Sequence, residues 1–164
     1  MKRYFAVILA VLAVFAVSCN KNEENEWTKS ERSPVSLESE LSELDVLSNT
    51  IVYKTDGENV LDADYFAYYF GDEELLDGIE EYIYYTSATS TVSEVGVFKV
   101  KDEKTAQSLL SAFKARGENL EAIYENYSPA DVAVAKGMQT GSFDDIVWFS
   151  ATTDNDSVTA VVTE

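Results

Sequence analysis

At 164 residues, with a 46% hydrophobic and 12% aromatic share, the chain has enough apolar material for one domain with a real core and no room for a second. Its 30 acidic residues against 12 basic ones give a formal net charge of −18, which argues against nucleic-acid binding and electrostatic membrane adhesion and leaves cationic partners open. With no His, a single Cys and no Gly-rich phosphate loop, the chain lacks the groups for Ser-His or Cys-His catalysis, zinc-finger or iron-sulfur ligation and an internal disulfide, so no cofactor is expected.

The N-terminus runs Lys2, Arg3, an apolar stretch from Tyr4 to Val17, then Ser18 and Cys19, the order of a secretory signal. About fourteen residues of helix rise about 21 Å, short of a hydrocarbon core of about 30 Å, so a removable leader fits better than a permanent span. Ala16-Val17-Ser18-Cys19 resembles the lipobox of bacterial lipoproteins, with Ala16 where Leu is usual. That resemblance implies a signal peptide over 1–18, an acyl chain on Cys19 and an extracytoplasmic, membrane-anchored product. An ordinary secretory signal with an incidental Cys19 is the alternative.

Residues 19–35 are polar, with the acidic run Glu23-Glu24-Asn25-Glu26 and one large apolar residue, Trp27, and predict a flexible tether. Ser36 is placed to cap a helix carrying the stripe Leu37, Leu41, Leu44 and Leu47, which Ser48-Asn49 breaks. A short apolar run, Ile51 to Tyr53, precedes the turn Thr55 to Asn59, where Asp56-Gly57 favours positive φ. Asp62 to Phe70 mixes acids with aromatics, and Asp72 to Ile79 has a helical pattern.

Tyr82 to Thr86 and Val95 to Val100 are strand-forming runs joined by a Ser/Thr-rich turn, which predicts an antiparallel hairpin. Asp102 caps a helix with Ala106, Leu109, Leu110 and Phe113 on one face, and Gly117 is its expected stop. A further helical segment carries Leu120, Ile123, Tyr124 and Tyr127; Ser128-Pro129 starts another helix, ending near Gly137. Phe143 to Ala151 and Ser157 to Thr163 are rich in strand formers and predict a second hairpin. The expected whole is a single α+β domain over 36–164, with an antiparallel sheet of about four strands packed against helices on one face.

The stretch Glu94 to Asp102, of the form acid-apolar-small-apolar-Phe-Lys leading into a capped helix, resembles the signature of the bacterial lipoprotein family called domain of unknown function 4358. Arg116, the Tyr127-Ser128-Pro129 restart and the Gly141 to Ser150 strand follow in that family's order, over about residues 37 to 155. The departures are Phe143, where Tyr is frequent, and a strand-like C-terminus where the family implies a more helical tail. The resemblance implies no activity.

Carboxylates are the chemistry that remains. Asp62-Ala63-Asp64, Asp72-Glu73-Glu74 and Asp154-Asn155-Asp156 offer oxygen ligands, yet none follows a calcium-loop pattern, and turn chemistry explains them more simply. The aromatic cluster yields a candidate binding surface of Tyr65, Tyr68, Tyr69, Tyr82 and Tyr84, set against the plainer reading that such rings fill the core. The functional expectation is a tethered binding or adaptor module of the cell envelope, its partner a protein, peptide or glycan. A small carboxylate-dependent, glycan-acting enzyme and an inhibitor of an envelope hydrolase are the alternatives.

Overall fold

The computed structural model describes residues 27–164 except Tyr127, so the expected signal peptide, Cys19 and the acidic run lie outside the described residues. Residues 27–33 form no helix or strand, yet they are fastened to the domain. The Ser30 N–H donates to Asp145 Oδ1 at 2.8 Å, Lys99 Nζ donates to the Ser30 carbonyl at 2.6 Å, and Arg32 Nη1 donates to the Val162 carbonyl at 2.8 Å. Lys29 and Lys99 each stand 3.9 Å from the other Asp145 oxygen, and that carboxylate is fully buried. The tether expected over 19–35 is therefore ordered chain from Trp27 onward, because its backbone finds partners that offset the entropy of fixing it.

Instead of one helix through Leu47, the chain makes a 3-10 turn at Pro34–Leu37, a single α-turn α1 at Glu38–Leu41 and a second 3-10 turn at Asp45–Leu47. Ser33, not Ser36, is the first cap, with Pro34 at the opening helical position, and the extended backbone of Leu44 (φ −78°, ψ 120°) breaks the run. The stripe still marks burial, since Leu37, Leu41 and Leu47 are all in the core. Strand β1 follows at Thr50–Lys54, then helix α2 at Ala63–Phe70, capped by Asp62 and closed by Gly71, whose φ of 83° suits a residue without Cβ. A 3-10 segment at Glu73–Gly78 leads into β2 at Ile79–Ser87, and β3 spans Glu94–Val100.

Asp102 caps α3, Glu103–Tyr124, which passes through Gly117 without stopping. A Cβ at Gly117 would lie 3.3 Å from Met138 Sδ, so this glycine serves close packing and not termination. Helix α4 is Pro129–Lys136 with Ser128 as cap. The second hairpin pairs β4, Gln139–Phe143, with β5, Ile146–Ala151, across Asp144-Asp145. Ser157 to Thr163, expected as its second strand, is instead helix α5, Asn155–Thr163, which buries Val158 and Val162 one turn apart. Asp154 accepts the Ser157 N–H there, and a good cap plus i, i+4 burial outweighs the β preference of Val and Thr.

The sheet thus has five antiparallel strands in the order β1-β2-β3-β5-β4. It is covered on both faces, not on one. Tyr82, Tyr84, Phe98, Val147 and Phe149 point to one side and meet Phe66 and Phe70 of α2 and Leu109 and Phe113 of α3. Ile83, Tyr85, Val95, Val97, Ile146 and Trp148 point to the other and meet Leu37, Leu41, Val158 and Val162.

Candidate functional site

Helix α2 separates its aromatics by face. Phe66 and Phe70, four apart, are buried against the sheet, whereas Tyr65 is 49% and Tyr68 is 71% exposed. The Tyr53 ring of β1 lies 6.2 Å from that of Tyr65, and Tyr68 meets Tyr69 edge-on at 5.1 Å. Asp64, Tyr65 and Tyr68 border a shallow, largely apolar hollow of about 240 Å³. Of the candidate tyrosines, Tyr65 and Tyr68 are thus exposed neighbours, and Tyr69 sits half-buried at their inner margin.

Tyr82 and Tyr84 do not belong to that surface. Both are buried: the Tyr82 oxygen accepts the Leu61 N–H at 2.7 Å, and the Tyr84 ring packs on Tyr69 and Phe70. The middle of β2, in a sheet covered on both faces, has no solvated side on which alternate residues could emerge. Burial raises the pKa of both phenols.

Beneath Tyr69 lies a charged pair that sequence reasoning placed in the family signature but gave no role. Arg116 of α3, 7% exposed, is held by Glu94 of β3, 4% exposed, through Nε to Oε2 at 3.0 Å and Nη2 to Oε1 at 2.5 Å. The guanidinium carbon stands 5.1 Å from the centre of the Tyr69 ring. Burial pushes the Arg116 pKa down, but the Glu94 hydrogen bonds and charge more than reverse it, so the net direction is up. The acid in a strand register and the base late in a helix offer no spacing that foretells their meeting.

Each of the three acidic runs places one carboxylate in a cap. Asp62, Asp72, Asp102 and Asp154 each accept a backbone N–H at a helix or turn start. Thr105 holds the Asp102 carboxyl, and Ser157 that of Asp154, below the usual range through backbone and side-chain hydrogen bonds. A cleft of about 500 Å³ at one end of the sheet is lined by Asp45, Ser87, Ser93 and Asp131 together with Val46 and Val134, among others. Asp131 there accepts the Val92 N–H at 2.7 Å and the Ser128 hydroxyl, which ties the carboxylate to the loop it supports. Among the described residues no group of three or more His, Cys, Asp or Glu side chains is arranged to hold a metal ion, and no helix is long and apolar enough to cross a membrane.

The sequence model of the family described as "Domain of unknown function (DUF4358)" matches residues 52–152. The match runs from β1 to just past β5 and includes α2, Glu94 and Arg116. No curated protein and no solved structure matches the chain.

Proposed function

The chain belongs to the DUF4358 family, and from that premise we propose that it is a binding module of the cell envelope, lipid-anchored through Cys19, with Tyr65 and Tyr68 as its contact face. The observation that carries this reading is the pair of exposed rings on α2, whose fold-forming work is already done by Phe66 and Phe70. Rigid amphipathic rings give large contact area at low entropic cost, the usual basis of a recognition patch. The leader, the lipobox-like run ending at Cys19 and the absence of His support the tethered, non-catalytic form of the proposal. A carboxylate-dependent enzyme has less support, because Asp62, Asp72, Asp102, Asp131 and Asp154 are engaged in caps and turns.

The experiment has two parts. Cys19→Ala should move the protein from membranes to the soluble extracytoplasmic fraction; retention in the membrane would refute the lipid anchor. A photo-reactive side chain at position 68 should cross-link one envelope component, and the cross-link should disappear when Tyr65 is replaced by Ala. Cross-linking indifferent to Tyr65→Ala, or turnover of an envelope glycan by the purified chain, would refute the contact face or the binding role respectively.

A further inference from the structure

The two edges of the sheet differ in a way that points to a second site. Along β1 the chain folds back on itself: the Lys54 N–H donates to the Asn59 carbonyl at 3.1 Å and the Asn59 side-chain amide donates to the Val52 carbonyl at 3.2 Å. That edge is occupied by its own turn. On β4, Phe143 and Ile146 face each other across a two-residue turn and form a hydrogen-bonded pair, so ladder alternation points the N–H and C=O of Thr140 and Ser142 outward. Both residues are exposed, and among the described residues no hydrogen bond reaches those outward backbone groups. The strand, Gln-Thr-Gly-Ser-Phe, carries no Lys, no Pro and no bulge, the devices that ordinarily blunt an edge.

Beside this edge, between β4 and α3, lies a groove of about 390 Å³. Leu110, Phe113 and Met138 give it an apolar lining, Gly117 leaves its wall low, and Thr140 forms its β4 side. Glu118 and Glu121 stand at the rim together with Lys114, and Glu121 also meets Lys136 at 3.8 Å. Side chains opposite Thr140 and Ser142 on an added strand would point to this same face, as Phe149 and Val147 do from β5.

We propose that β4 and the groove bind an extended, cationic peptide segment as a sixth strand: its backbone pairs with Thr140 and Ser142, an apolar side chain enters between Leu110 and Met138, and flanking Lys or Arg residues meet the acidic surface. The formal net charge of −18 selects this occupant, since it attracts a basic segment and repels a second copy of the chain. The site is separate from the exposed tyrosines of α2, which lie on the same face but toward the opposite, β1, edge of the sheet.

The test uses the full chain in detergent micelles and a panel of Lys-flanked seven-residue peptides, alternating Thr with one varied apolar residue, read by amide hydrogen exchange. At least one peptide should slow exchange at Thr140 and Ser142 tenfold or more, and its Glu-flanked counterpart should not. Ser142→Pro removes an outward N–H that the internal ladder does not use, so Kd should rise at least tenfold with an unchanged urea midpoint. If that variant fails to fold, Ser142→Lys supplies the same comparison through charge. Tyr65→Ala with Tyr68→Ala should leave peptide binding unchanged, which separates this site from the contact face on α2. The proposal is overturned if no peptide protects those two amides, if binding survives the Ser142 substitutions, or if the amides are already protected in a chain that sediments as a dimer.

Discussion

Replacing Glu94 by Gln keeps the shape of the side chain and one hydrogen-bond acceptor but strips the charge that compensates Arg116. Both partners are almost wholly enclosed, so water cannot take over. Breaking a buried pair from one side costs about 3–5 kcal/mol, against a total stability of about 5–15 kcal/mol for a domain of this kind. For a domain of this size the loss corresponds to a fall in Tm of roughly 10–20 °C. The pair itself is a different matter, because replacing both partners by apolar groups of similar volume is commonly neutral or stabilising. Urea unfolding followed by circular dichroism should therefore show Glu94→Gln and Arg116→Met each strongly destabilised. Glu94→Leu with Arg116→Met should recover most of the loss, short of the contact of about 0.5–2 kcal/mol that Arg116 makes with Tyr69. A Glu94→Gln variant within about 1 kcal/mol of the parent would mean that Arg116 reaches solvent, and the argument for a sealed pair would fail.

Tyr85 is buried and its hydroxyl has no hydrogen-bond partner, so Tyr85→Phe should leave stability at neutral pH unchanged or raise it by about 1 kcal/mol in urea titration. Burial, with a contribution from the Glu38 charge, raises the Tyr85 pKa. Its stabilising share is whole below about pH 10 and fades above it as the unfolded phenol ionises, so Tyr85→Phe should also move the alkaline unfolding midpoint upward. Gly96 faces α3 between aromatic rings, and a Cβ there would lie 2.5 Å from Phe149; Gly96→Ala should cost about 1–3 kcal/mol by thermal denaturation. Asp102 has a lowered pKa, so its contribution is complete above about pH 4 and is lost as pH falls through the folded value. Asp102→Asn, which preserves a cap, should flatten that part of the acid limb, while Asp102→Ala should lower stability by about 0.5–2 kcal/mol at neutral pH and by less as the parent carboxyl protonates.

Much of the order of elements was legible because caps and turns are local. Asp102 and Ser128 start helices as their positions suggest, and the Tyr82 and Val95 runs pair as a hairpin. The C-terminal helix was misread because Val and Thr favour strands in isolation, although Asp154 and the four-residue spacing of Val158 and Val162 were present as contrary signals. Here the family resemblance, with its helical tail, implied the fold better than local preference did. The double covering of the sheet had its own mark: Tyr82, Ile83, Tyr84 and Tyr85 are apolar without alternation, the pattern of a strand buried on both sides. That pattern removes Tyr82 and Tyr84 from any surface. Tyr65 and Tyr68 differ from Phe66 and Phe70 by helical phase, which sequence displays once the helix bounds are known. The Glu94–Arg116 contact and the bare β4 edge depend on which elements become neighbours, and no local spacing encodes that.

The fastening of residues 27–33 alters how far the domain can stand from its anchor. A leash of residues 19–35 would reach roughly 60 Å at full stretch; with the chain held from Trp27, residues 19–26 give at most about 28 Å. On the proposed anchoring, the module sweeps a thin zone hugging the bilayer, so its quarry would be found at the lipid surface, not deep in the surrounding space.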